Sequence, residues 1–214
     1  LLITFLTNST TLTAEAEGLK AQRNAETAEY AVPQHERMDF MHDSGRNAKY
    51  LENAFNSERQ VVAEILAYAR EVQGVYDDVL VLGIGGSALG ITALKTALLP
   101  FYADYMSAQA RRHPRLWVLD NVDPGWVMAA LRLLDPDRTL VIVISKSGST
   151  TETMAQFLIA RRWLEERLAG SAPCHLVAIT DPDKGPLREI ATREGYRTFA
   201  IPPGVGGRFS VLSP

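Results

Sequence analysis

Leu140-Val141-Ile142-Val143-Ile144, running directly into Ser145-Lys146-Ser147-Gly148-Ser149-Thr150-Thr151-Glu152-Thr153, decides the fold of this chain. A continuous β-branched run has no polar face, so it reads as a strand covered on both sides. It stops abruptly in hydroxyls and one glycine, and a helical pattern resumes behind it. That is a strand-loop-helix turn, which aims backbone N–H groups and the positive end of a helix dipole at one small volume. Six hydroxyl side chains in nine residues add donors to the same place. The stretch reads as a cradle for a compact anion, a phosphate on a small molecule foremost.

The alternation continues outward in both directions. Short apolar runs predict strands at Val79–Ile84, Arg115–Leu119, Leu140–Ile144, His175–Ile179 and Arg197–Ile201. Helical patterns fall between them, near Ser87–Leu99, Gly125–Leu134, Thr150–Leu168 and Pro186–Glu194. In the third of these, Met154, Phe157, Leu158, Ile159, Leu164 and Leu168 form the expected apolar face, with Arg161, Arg162, Glu165, Glu166 and Arg167 on the wet one. Alternating elements of this kind predict an α/β fold, a doubly wound, mostly parallel five-stranded sheet flanked by helices. Gln60–Val72 reads as a helix leading into the first strand. Thr13–Ala31 is Ala- and Glu-rich and favours helix, and a loop with Pro33, Asp43-Ser44-Gly45 and Asn47 follows it. The expected division is a partly helical N-terminal segment, residues 1–55, and one ligand-binding domain over 56–214.

Bulk properties bound the function. At 214 residues, with 46% hydrophobic and 22% charged side chains, the chain can fill one α/β domain with an additional segment. Its net charge of −3 argues against a nucleic-acid surface, and it requires an anionic ligand to be attracted locally. Cys174 stands alone, which excludes an internal disulfide and fits a reducing, cytoplasmic setting. Leu1-Leu2-Ile3-Thr4-Phe5-Leu6 is too short for a membrane span and lacks the basic flank of a signal peptide. A chain that starts on Leu and stops at Pro214, just behind a glycine-rich motif, is expected to be part of a longer protein.

A second strand-to-helix turn lies at Leu82-Gly83-Ile84-Gly85-Gly86-Ser87-Ala88-Leu89-Gly90, where closely spaced glycines permit positive φ and close approach to a ligand. Gly83 to Ala88 formally fits the dinucleotide fingerprint, so a Rossmann oxidoreductase is an alternative. The acidic residue that reading wants, Asp120, lies much too far along. Ser149-Thr150-Thr151-Glu152 fits a capping box, which explains two residues of the serine-rich turn and leaves the others free for an anion. Both turns follow strands, so both are expected at the carboxyl edge of the sheet, lining one site. A third motif, Gly204-Val205-Gly206-Gly207-Arg208-Phe209-Ser210, puts a forked guanidinium between glycines, suited to an anionic oxygen. The histidines His35, His42, His113 and His175 show no metal spacing and no catalytic pairing, so no metal is expected.

On LGIGGSALG (82–90), NVDP (121–124), VISKSGSTTET (143–153) and VGGRFS (205–210), the chain resembles the glucose-6-phosphate isomerase family, in its N-terminal sugar-isomerase (SIS) domain. The resemblance covers about residues 78–214. It implies that Ser145, Lys146, Ser147, Thr150 and Thr153 bind the sugar phosphate and that Gly86 and Ser87 line the sugar. It also implies that Arg208 stabilises the negative charge of an enediolate, and that Glu152 helps to orient a catalytic group. The implied reaction interconverts glucose 6-phosphate and fructose 6-phosphate without cofactor, in an enzyme that is a homodimer at full length. Family members are roughly twice as long and carry a second SIS domain, with the glutamate that moves the proton and the histidine and lysine of ring opening. This chain alone is therefore expected to bind weakly and not to turn over. A phosphoglucose/phosphomannose isomerase and a non-catalytic sugar-phosphate sensor are the alternatives on the same domain.

Overall fold

A computed structural model of the protein describes residues 60–111 and 113–201. A helix over residues 60–71 (α1) leads into strand β1, Asp78–Leu82. Helix α2 (Gly86–Leu98), a 3-10 turn at Ala103–Tyr105 and the single turn α3 (Ala108–Arg111) come next, then β2 (Arg115–Leu119). Helix α4 (Pro124–Leu133) precedes β3 (Thr139–Ser145), and α5 (Thr151–Leu168) precedes β4 (Leu176–Thr180). Helix α6 (Pro186–Glu194) and β5 (Arg197–Ala200) complete the described part.

The five strands form one sheet in the order β2-β1-β3-β4-β5, every neighbouring pair parallel. Parallel strands are buried on both faces by their crossovers, and the runs identified in the sequence behave this way. All five residues of β1 and all seven of β3 are buried. Leu80, Leu82, Val141, Val143, Leu176 and Ala178 pack on one face with α4, α5 and α6, around Phe157 and Leu187. Val79, Val81, Leu140, Ile142, Ile144, Val177 and Ile179 point to the other face, with Ile65 and Tyr68 of α1 and Val72 just behind it. The doubly wound architecture is therefore present, and each strand boundary lies within two residues of the sequence expectation.

At the amino edge of the sheet Asp78, 1% exposed, locks β1 to β2. Arg115 Nε and Nη2 donate to its two carboxylate oxygens at 2.7 Å each, and Trp117 Nε1 donates to Oδ1 at 2.8 Å. The forked geometry fixes the Asp78–Arg115 register. His113 and His175 lie near this edge too, bonding the carbonyls of Pro114 and Thr139.

Two expectations for α5 are corrected. Its buried stripe is Thr153, Gln156, Phe157, Ala160 and Leu164, whereas Leu158 and Ile159 are 53% and 45% exposed. The 3.6-residue repeat carries the core-facing positions from Phe157 to Ala160 and Leu164, so 158 and 159 rotate away despite being apolar. Arg161, read as fully solvated, is half-buried and pairs with Glu165 and Glu194. Residues 100–114, left unassigned in the sequence, hold the short turn and α3. Among the described residues no helix is long and apolar enough to cross a membrane. The segment 1–55 and the Gly204–Ser210 motif lie outside the described residues.

The corrected face sets a contrast. Phe157→Ala should lower unfolding free energy by about 3–5 kcal/mol, whereas Leu158→Ala should change it by at most about 0.5 kcal/mol. Urea titration followed by circular dichroism distinguishes the two, and equal losses would restore the face expected from the sequence.

Candidate functional site

The strand order reverses between β1 and β3: from β1 the chain crosses to β2 on one side, then returns to β3 on the other. That switch point leaves a crevice outside the carboxyl ends of the two strands. The glycine-rich turn leaves β1 there, and the serine-rich turn leaves β3. Leu82 pairs with Val143, so the two loops start from adjacent strands, and β3 runs two residues farther to Ser145. Had the loops sat on opposite edges, a single shared site would have been impossible.

In the first loop Gly85 adopts φ +57 and forms the N-cap of α2, with no side chain capping the helix. A Cβ on Gly83 would lie 3.0 Å from Ser87 Cβ and 3.1 Å from its carbonyl oxygen, so a larger residue here would press on the first turn of α2. Gly86 and Ser87, expected to line the sugar, are the first two residues of that helix and half-buried.

The second loop places its residues unequally. Ser145 is the last residue of β3, 2% exposed, and its Oγ meets Thr150 Oγ1 at 3.1 Å. Lys146 is half-buried and Ser147 is exposed. Gly148 takes φ +65, and its N–H donates to the Ser145 carbonyl at 3.1 Å, which closes the turn. Thr153 faces inward at 1% exposure, its Oγ1 without a partner among the described residues, while Glu152 is exposed on the first turn of α5.

The capping box is not formed. Thr150, not Ser149, is the N-cap of α5, and no side chain among the described residues caps the helix. Ser149 instead donates to Ser147 Oγ, through its N–H at 3.2 Å and its hydroxyl at 3.0 Å. The chain rises from the strand one residue later than the box requires, because Gly148 is spent on the left-handed turn. The consequence is chemical: the first-turn N–H groups of α5 have no side-chain partner among the described residues, and such groups attract an anion.

Two supports of the site were not visible in the sequence. Gln156, 1% exposed, donates through Nε2 to the carbonyls of Asn121 (2.8 Å) and Leu119 (3.3 Å), binding the first turns of α5 to the end of β2. Its phase with Ala160 and Leu164 was a signal that the side chain faces inward, but nothing local named its partners. The turn between β4 and α6, Asp181-Pro182-Asp183-Lys184-Gly185, packs beneath the serine-rich loop: Asp181 N–H donates to the Lys146 carbonyl and Leu187 N–H to the Gly148 carbonyl, both at 3.1 Å. Asp181 Oδ1 accepts from the N–H groups of Asp183 (2.9 Å) and Lys184 (3.1 Å), which holds its carboxyl below the usual carboxylate range. Its Asp-Pro-Asp composition was a turn signal. The matching segment Asn121–Pro124 also gains a local reason: Asp123 accepts from Trp126 N–H at 2.9 Å as N-cap of α4, and Pro124 takes the first helical position. Arg208 lies outside the described residues.

A five-stranded parallel sheet flanked by helices, with two loops leaving adjacent strands at its switch point, defines an α/β domain of the doubly wound class. The chain belongs to the phosphoglucose isomerase family, whose model matches residues 45–214. A glucose-6-phosphate isomerase of Carboxydothermus hydrogenoformans is 45% identical over 153 residues, 72% of this chain and 33% of that protein. One from Thermus thermophilus is 44% identical over 157 residues, 73% of this chain and 35% of that protein. Among solved structures, a hypothetical protein of Thermus thermophilus superposes with a TM-score of 0.60 at 37% identity, covering 95% of this chain and 43% of that one. This chain spans about a third of the length of the curated relatives it matches.

The support given by Gln156 is testable on the fold alone. Gln156→Ala strips the end of β2 of its link to α5 and should cost about 2–4 kcal/mol. Chemical denaturation measures it, and a loss under about 0.5 kcal/mol would show that the two carbonyl contacts are dispensable.

Proposed function

We propose that this chain is the phosphate-binding part of a glucose-6-phosphate isomerase, an enzyme interconverting glucose 6-phosphate and fructose 6-phosphate. The observation that carries the reading is the adjacency of the two loops at the β1–β3 switch point, one ending in an uncapped 18-residue helix. In this reading the phosphate sits on the first turn of α5, held by its N–H groups, by the hydroxyls of Ser145, Ser147, Thr150 and Thr153, and by the charge of Lys146. Ser145 and Thr150 share one hydrogen bond, and each hydroxyl keeps capacity for a ligand oxygen. Gly86 and Ser87 then approach the sugar from the neighbouring strand end.

Aldose–ketose interconversion moves a proton between C2 and C1 through an enediolate, and the reaction needs a positioned base and stabilisation of the developing oxyanion. By family resemblance Arg208 supplies that stabilisation, and Glu152, on the first turn of α5, orients a catalytic group. The base and the ring-opening groups belong to the two thirds of the relatives' length outside the match. What this chain contributes is remote binding energy, holding the reacting carbons in place through the phosphate. We therefore expect the 214 residues alone to bind sugar phosphate without turning it over. By the same resemblance the full-length enzyme is a homodimer. Its cytoplasmic setting is supported by the lone, exposed thiol of Cys174.

Isothermal titration with fructose 6-phosphate tests the reading. Thr150→Ala should weaken binding by about 1–3 kcal/mol if its hydroxyl meets the phosphate. Unchanged affinity would remove Thr150 from the site. Turnover by this chain, followed by a coupled assay, would overturn the division of labour.

A further inference from the structure

Three consecutive carbonyls of the serine-rich loop, those of Lys146, Ser147 and Gly148, face the turn between β4 and α6. The first and third are hydrogen-bonded, by the N–H groups of Asp181 and Leu187 at 3.1 Å each. The second has no hydrogen-bond donor among the described residues and lies against Gly185. Gly185 sits at φ 103 and ψ 152, a region essentially restricted to glycine, and a Cβ built on it would collide with the Ser147 carbonyl oxygen. Beneath the same loop a Cβ on Gly148 would come within 3.1 Å of Thr180 Oγ1 and 3.2 Å of Leu187 Cβ.

In a trans peptide the carbonyl and the following N–H point in opposite directions. Fixing the Lys146 and Ser147 carbonyls downward, onto the turn, therefore sends the N–H groups of Ser147 and Gly148 away from it. The Gly148 N–H is taken by the Ser145 carbonyl, whereas the Ser147 N–H has no partner among the described residues. A phosphate over this loop would be repelled by any carbonyl swung upward, so the orientation of these peptides is part of its affinity.

We propose that the β4–α6 turn is the template of the serine-rich loop, and that Gly185 is a positioning residue acting through the Ser147 and Gly148 peptides on the bound phosphate. The inference rests on the reading of this loop as the phosphate site. The turn is itself shaped by Asp181, whose carboxylate closes on the N–H groups of Asp183 and Lys184 and whose carbonyl accepts from Arg188 Nε at 2.8 Å.

The test is titration of the full 214-residue chain with fructose 6-phosphate and, separately, with inorganic phosphate, which is small enough to report on the loop alone. Gly185→Ala should weaken both by about tenfold, as a displaced binding group does. Gly195→Ala is the control, since Gly195 also has positive φ (+74) but open space around it; it should lose some thermal stability and keep its affinity. Should Gly185→Ala fail to fold, Asp181 carries the test. Asp181→Asn removes the charge and keeps the acceptor that shapes the turn, whereas Asp181→Ala removes both. The alanine variant should bind about threefold or more weakly than the asparagine variant. Equal affinities in that pair, or a folded Gly185→Ala that binds like the unaltered chain, would overturn the template. Absence of binding by the unaltered chain would instead overturn the reading of the site, and the template with it.

Discussion

The parallel pairing of β1 with β3 is the constraint on which the rest of the structure depends. Both strands are buried along their whole length, so a slip of one residue would exchange the side chains packed around Phe157 with those packed against α1. With the register fixed, Leu82 lies beside Val143 and the chain leaves the sheet at two neighbouring points. Everything chemical about the carboxyl edge follows from that placement. The Asp78–Arg115–Trp117 cluster fixes the neighbouring β1–β2 pair from the opposite edge, where a buried carboxylate tolerates few alternative alignments.

The serine-rich turn illustrates how a loop can be supported without being rigid in itself. Its hydroxyls bond mostly to one another, Ser145 to Thr150 and Ser149 to Ser147, and these contacts are local. Its shape is imposed from outside, by Asp181, Gly185 and Leu187 below and by Gln156 holding the helix behind. If the loop binds phosphate as proposed, two tasks are separated: the side chains that meet a ligand stay free for it, and their positions are set by residues that never touch it.

Much of this was legible in the chain. Continuous apolar runs such as Leu140–Ile144 announce two-sided burial, and their alternation with helical patterns leaves little besides a parallel sheet. The placement of both loops at the carboxyl edge followed from both turns succeeding strands, whereas their adjacency comes from the β1–β3 pairing, which no local pattern announces. The failures are equally specific. Leu158 and Ile159 are apolar yet exposed, because helix phase and not residue type assigns the face. The capping box matched by spacing, but left-handed Gly148 delays the helix start by one residue. Gln156 and Gly185 escaped notice for a common reason: each matters through a partner distant in sequence, Asn121 in one case and Ser147 in the other, and no local pattern encodes such a contact.

The bare start of α5 has a thermodynamic consequence. Among the described residues its first turn has no side-chain cap, and such a cap contributes about 1 kcal/mol at most such termini. Whatever anion settles there acts as the missing cap, so its binding and the folding of the domain draw on the same free energy. Stability of this protein is then a property of the solution as much as of the sequence. On the proposed reading of the site, sulfate or phosphate in a buffer would raise the unfolding temperature at concentrations where chloride does little, and occupancy and folding would report on each other.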